Sequence, residues 1–375
     1  MKILFTGGGT GGHFYPIIGV AQAIEKATKE QRLLSPELVY MAPTPYDLNA
    51  LFENSIAYKP ISAGKIRRYF SLLNFFDLFK TAWGITKAIY AVYKLYPDVV
   101  FGKGGYASFP VLFAAKLLRI PVIIHESDSR PGRVNAWASK FARRIAVSYP
   151  TAAQFFPEEK VAFTGNPIRK EVSEVLTVGA YEYLKLKPEI PTILILGGSL
   201  GAKAINDTII DALPTLVEKY QIIHQTGKAN FKEVSTTANV VLSGSPNASN
   251  YHPMQYLNAL EMRMSAGVAR IVISRAGSTI FEIAAWGKPS IIIPIPETVS
   301  HDQTSNAFAY ARSGGAEVIE ENNLGSHILV AEINRISDNQ EIWQKMAEGA
   351  KSFAKLDAAE KIAQEIIAIA LEHEE

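Results

Sequence analysis

The chain has no cysteine among its 375 residues. Thiol catalysis, cysteine-ligated metals and disulfides are therefore excluded, and the composition is compatible with a reducing compartment. A charge bias is also missing. The 38 basic and 36 acidic residues leave a formal net charge of +2, which gives no overall pull toward nucleic acid. Long apolar runs are absent as well: the nearest, residues 107–125, is broken by Lys116 and Arg119, short of the ~18–20 apolar residues of a membrane span. A strand and a glycine turn occupy the first residues, so no secretory leader is expected. No glycine turn leads into Lys-Ser or Lys-Thr, since Gly64-Lys65 and Gly102-Lys103 run into Ile66 and Gly104. That disfavours a P-loop nucleotidase. No Asp-x-Asp stands near a strand end, and the sequence gives no reason to require Mg²⁺.

What the chain does contain is rhythm. Hydrophobic residues make up 48% and charged residues 20%, a globular composition, and the length calls for two domains. Short β-branched runs (KILF, ELVYM, DVVF, PVIIH, RIAVS, TILIL, QIIHQ, NVVL, RIVIS, PSIIIPI) alternate with helical stretches. This is the βαβ pattern of parallel sheets covered on both faces. The pattern restarts at 192–207, TILILGGSLGAKAIND, which repeats the strand, glycine turn and helix of the opening segment. Two Rossmann-like halves are expected, 1–164 and 165–350, joined where Gly165, Asn166 and Pro167 interrupt the rhythm. The final stretch reads as helix and either caps the second half or, over 351–375, packs back on the first. Ligands of such sheets sit beyond the carboxyl ends of the strands, so halves facing each other would bring both glycine turns to one cleft.

The opening turn, FTGGGTGGHFYP over 5–16, holds Gly7-x-Gly9-x-x-Gly12, the spacing of a dinucleotide-binding turn. A dehydrogenase also needs a carboxylate at the end of the next strand. Here that strand, Leu38 to Met41, runs into Ala42-Pro43-Thr44, and neither His13 nor Pro16 belongs to the nicotinamide pattern. The turn reads as a cradle for some other phosphate. Further polar, glycine-rich segments follow predicted strands or the join at 101–110, 125–137, 165–169, 197–203, 224–228 and 274–282. Any α/β protein needs turn glycines at strand ends. Six such segments carrying His, Glu, Ser, Arg and Lys point instead to a ligand cleft. Two residues have a purely structural alternative: His13 as a ring bonded to a loop carbonyl, and Glu282 as the last member of a Thr279-Ile-Phe-Glu282 capping box.

Taken together, GGTGGH, GKGGY, HE, GNPIR, GGSLGA, HQTGK, SRAGSTIFEIAAWGKPS and HDQTSNA resemble the motifs of the MurG-type glycosyltransferases, in family order across nearly the whole chain. The resemblance implies an α/β fold of the GT-B kind, two Rossmann-like doubly wound domains facing a central cleft. It implies a hexosyltransferase without cofactor or metal. The reaction would be inverting transfer of GlcNAc from UDP-GlcNAc to the C4 hydroxyl of undecaprenyl-pyrophosphoryl-MurNAc-pentapeptide (lipid I), giving lipid II in peptidoglycan synthesis. Wall-synthesis or division proteins would be its protein partners.

Carried over residue by residue, the family pattern makes His13 the base that deprotonates the acceptor hydroxyl, with Glu126 assisting it or taking its place. The donor side comprises Thr10, Gly11, Gly12 and Asp128, with Arg169 and Ser199 on the UDP phosphates and Ser278 and Thr279 in the same pocket. Glu282 falls on the ribose and Gln303 on the sugar hydroxyls. The acceptor side comprises Gly8, Gly9, Gly104, Gly105 and Tyr106. Three departures stand out. Asp302 occupies a family glutamine position, Asp128 a position often held by asparagine, and the segment from Gly277 to Glu282 is one residue short. These keep two alternatives open: a related enzyme with another UDP-sugar or a glycolipid acceptor, and a non-catalytic nucleotide-sugar-binding partner.

Residues 59–97 hold seven Lys or Arg, one acid (Asp77) and nine aromatics. Basic residues interleaved with Phe and Trp suit an anionic lipid surface. Ile66, Phe70, Phe75, Phe76, Phe79 and Trp83, flanked by Arg67, Arg68 and Lys80, are expected to form a peripheral patch on the cytoplasmic membrane face.

Overall fold

The computed structural model describes residues 1–64, 73–197, 202–296 and 303–372, without the side chains of 73–79. The chain divides into two compact units, 1–169 with 355–375, and 170–354. The first break follows Arg169 rather than residue 164, and the return begins at Lys355 rather than 351.

In the first unit seven strands form an all-parallel sheet: β1 (Lys2–Thr6), β2 (Glu37–Ala42), β3 (Ile56–Pro60), β4 (Val99–Gly102), β5 (Val122–Glu126), β6 (Arg144–Val147) and β7 (Val161–Phe163). Their order is β3-β2-β1-β4-β5-β6-β7. The order reverses between β1 and β4, which pair from Ile3↔Val99 to Thr6↔Gly102. The central strands are buried throughout, as continuous β-branched runs covered on both faces must be. Helix Gly11–Glu30 lays Ile17, Val20, Ala21 and Ile24 on one face of this sheet. Helix Ala358–Leu371, from the far end of the chain, completes the same core with Ile362, Ile366, Ile367 and Ile369. Its rim is tied by Arg144–Glu365 at 2.8 Å and by Arg143–Glu372.

The second unit holds a six-stranded parallel sheet, β8 (Thr192–Leu196), β9 (Gln221–Gln225), β10 (Tyr251–Met254), β11 (Ala269–Ser274), β12 (Ser290–Ile292) and β13 (Ala316–Val318). The order is β10-β9-β8-β11-β12-β13, again reversing beside the strand that opens the repeat.

Two local expectations are corrected. NVVL is the end of helix Phe231–Val241, with Val234 and Ala238 one turn apart facing the core, and the strand comes later, at Tyr251. The C-terminal stretch is two helices, Gln340–Phe353 and Ala358–Leu371. Ala354 turns to extended backbone between them, and this lets the first stay on the second unit while the next returns to the first.

Candidate active site

At the reversal point of the first unit, two glycine turns meet. The β1 turn carries Gly8 and Gly9 at positive φ, and the β4 turn carries Gly104 and Gly105 likewise. A Cβ on Gly105 would lie 3.1 Å from the Gly8 carbonyl oxygen, so the two turns touch backbone to backbone. At Gly104 both space and conformation exclude a side chain. Its φ is +83°, and a Cβ would sit 2.8 Å from Asn135 Nδ2. Tyr40 Oη donates to the Gly7 carbonyl at 2.6 Å, pinning the first turn from below. Tyr106 opens a short 3₁₀ turn with its ring against Gly9.

Thr10 stands at the N-cap of helix Gly11–Glu30 but makes no side-chain cap bond. Its hydroxyl instead meets His13 Nδ1 at 2.9 Å. The His13 amide bonds the Thr10 carbonyl at 3.2 Å, and the Gly11 and Gly12 N–H groups of that first turn keep their capacity for an anion. Burial, and then the nearby Lys103 charge, lowers the His13 imidazole to about 4. His13 is therefore neutral near pH 7, the form a general base requires.

Behind the turns lies a buried polar network. Glu126, at the end of β5, accepts from the Asp128 and Gly132 amides at 3.0 Å and from Asn135 Nδ2 at 2.9 Å. Burial, reinforced by the Asp128 charge, raises its carboxyl to about 7. With both oxygens occupied, Glu126 holds the 126–135 loop in shape. His125 is fully buried, bonded through Nε2 to the Gly165 carbonyl at 3.0 Å.

In the second unit the residues after β11 and β12 converge. Arg275 donates to the Ile293 and Pro294 carbonyls at 3.1 and 3.3 Å and pairs with Glu321 at 2.5 Å. Gln303 opens helix Gln303–Ala311, and its Oε1 accepts the Ile295 amide at 3.1 Å. Beside them a cavity of about 240 Å³ is lined by Pro294, Pro296, Thr304, Glu320, Glu321 and Asn322. Among the described residues no group of three His, Asp or Glu side chains is placed to hold a metal.

The chain matches known proteins along most of its length. Residues 3–147 match the glycosyltransferase family 28 N-terminal domain and residues 192–362 its C-terminal domain. The UDP-N-acetylglucosamine–N-acetylmuramyl-(pentapeptide) pyrophosphoryl-undecaprenol N-acetylglucosamine transferase of Treponema denticola is 39% identical over 332 residues, 84% of this chain and 83% of that one. The chain belongs to the MurG-type transferases. A second such transferase, from Bacillus cereus, is 35% identical over 97% of this chain and 99% of its own. The crystal structure of Acinetobacter baumannii MurG aligns with a TM-score of 0.70 at 25% identity, covering 98% and 99% of the two chains.

Within this MurG-type frame the expected acceptor-side residues Gly8, Gly9, Gly104, Gly105 and Tyr106 fall together, with His13 beside them. Arg169 lies in the first unit, not the second. Its guanidinium is stacked 3.8 Å above the Tyr15 ring. Thr279 is the first residue of helix Thr279–Trp286 and Ser278 its N-cap without a side-chain cap bond, so the capping-box reading of Glu282 does not hold. Glu282 is half-buried one turn into that helix. Ser199 and Asp302 lie outside the described residues, as do Ile66, Arg67, Arg68 and Phe70 and the side chains of Phe75, Phe76 and Phe79. Lys80 and Trp83 are exposed, Trp83 by 59%. Lys103, Asn135 and Arg275 were not anticipated as site residues. A lysine or arginine in a polar loop reads as solvated, and only the fold shows these enclosed.

Proposed function

We propose that the chain transfers GlcNAc from UDP-GlcNAc to the C4 hydroxyl of lipid I with inversion, producing lipid II for peptidoglycan. The observation that carries the reading is the pair of touching glycine turns at the first unit's reversal point, with a neutral histidine beside them. The turns offer backbone N–H groups to the acceptor's diphosphate. His13 takes the C4 proton through Nε2, with its Nδ1–H donated to Thr10. Glu126 acts by positioning the loop that carries Asp128. On the donor side Arg169, Ser199, Ser278 and Thr279 stabilise the departing UDP, Glu282 holds the ribose, and Gln303 reads the sugar. Among the described residues no helix is long and apolar enough to cross a membrane. The acceptor's lipid anchor would be met by a peripheral patch on the cytoplasmic face, formed around 66–83.

The test is transfer of labelled GlcNAc to a short-chain lipid I analogue, run with and without EDTA and with UDP-glucose as rival donor. Product from UDP-GlcNAc in both conditions is expected. No transfer, or equal use of both donors, would overturn the assignment.

A further inference from the structure

One buried ionisable group is left unused by this mechanism. Lys103, between the β4 strand and its glycine turn, is 1% exposed. Its amide donates to the Thr6 carbonyl at 2.8 Å, tying the β4 turn to β1. Its Cβ lies 2.9 Å from where a Cβ on Gly7 would stand, so the stem passes directly against the first glycine turn. The ammonium reaches His125 Nδ1 at 2.7 Å and Asn166 Oδ1 at 3.3 Å. Since His125 Nε2 faces a carbonyl, it must carry the ring proton, and Nδ1 is a bare acceptor. Both partners of the ammonium are therefore neutral, and among the described residues no carboxylate bonds it directly. A buried cation in that state is incompletely compensated.

We propose that Lys103 is a positioning residue for the acceptor: a fixed cation beneath the paired glycine turns whose charge is completed by a lipid-borne diphosphate resting on them. This rests on the acceptor reading given above. The charged and titratable groups around the ammonium are His13, His125, Glu126 and Asp128. Burial lowers the ammonium to about 7, against the opposing pull of Glu126 and Asp128. Near neutral pH the site is thus poised between a neutral amine and a cation. A diphosphate favours the cation, so acceptor binding should take up a proton and weaken as pH rises through 7.

The experiment compares wild type with Lys103→Met and Lys103→Arg, reading KM for a short-chain lipid I analogue and for UDP-GlcNAc from about pH 6 to about pH 8.5. In wild type the acceptor KM should rise across this range. In Lys103→Met it should be raised about tenfold or more at the acid end, and flat, with the donor KM unchanged. Lys103→Arg, always charged, should keep a low acceptor KM to the alkaline end. If arginine does not fit and lowers Tm, the pH slope of Lys103→Met against wild type decides alone. An unchanged acceptor KM with its slope intact in Lys103→Met overturns the inference, as does an equal fall in kcat with no change in either KM. Absence of transfer by wild type would instead sink the functional reading beneath it.

Discussion

At the scale of single residues, His13 joins three properties that a catalytic base needs. It stands beside the glycine turns, its ring is oriented by Thr10 at 2.9 Å, and burial keeps it unprotonated with a pKa of about 4. His13→Ala is therefore expected to lower kcat by about 10²–10⁴-fold while leaving the donor KM near wild type. Steady-state rates on the lipid I analogue check this, and full turnover by the variant would remove the assignment. The glycines and the histidine were legible in the sequence because turn chemistry is local. Glu126 was legible as a site residue but not in its role. That its carboxylate is enclosed by the Asp128, Gly132 and Asn135 donors depends on a loop closing on itself, which no spacing reveals. Lys103 was not legible at all, because its burial comes from three strands and the distant Asn166 of the same unit meeting in space.

Elements carry the next set of consequences. Alternation of β-branched runs and helical stretches located most of both sheets. It failed at NVVL, where helical burial of Val234 and Ala238 outweighed β-propensity. The short strands at Ile56, Val161 and Ala316 lie at or near sheet edges, where less apolar patterning is required. In the second unit His224 locks helix Lys203–Leu216 to two strands, meeting Asn206 Oδ1 at 3.0 Å and Tyr251 Oη at 2.9 Å. Its folded pKa, about 3, lies below the ordinary 6.5 because of burial. Below about pH 6.5 the unfolded chain binds a proton that the folded chain does not. Stability is thus lost as pH falls from about 6.5 to about 3, by on the order of 4 kcal/mol from this group. Denaturant titrations across that range should show the slope, and His224→Gln should flatten it; an unaltered slope would assign acid sensitivity elsewhere. Helix Leu73–Leu95 presents Lys80, Trp83, Lys87, Tyr90 and Lys94 to solvent, with Lys87 5.4 Å over the Trp83 ring. Each cation near an anionic bilayer contributes about 1 kcal/mol. Neutralising Arg67, Arg68 and Lys80 should thus reduce sedimentation with anionic vesicles by about 100-fold in partition. Equal pelleting of variant and wild type would remove the membrane patch.

For the whole molecule, the division into two units is set by where the chain returns. Helix Ala358–Leu371 contributes four isoleucines, each 2% exposed or less, to the first unit's core. At about 1.5–3 kcal/mol per buried side chain this matches the entire marginal stability of a domain. Truncation after Ala354 should therefore unfold residues 1–169 and spare 170–354. Hydrogen exchange resolved by segment checks it: retained protection across β1, β4 and β5 in the truncated chain would show the helix to be dispensable. The sequence announced a terminal helix but not its destination, because an amphipathic stripe does not name the surface that covers it.

That late return also orders events on the ribosome. The second unit is an insertion, complete as soon as residue 354 emerges, whereas the first waits with its sheet unsealed. At about 5–20 residues per second, residues 170–354 take roughly 10–40 s to appear. Throughout that interval the first unit is made but not closed, so a nascent chain acquires its inserted second unit before its first. Premature termination within the last helix is expected to leave the second unit folded and the first open.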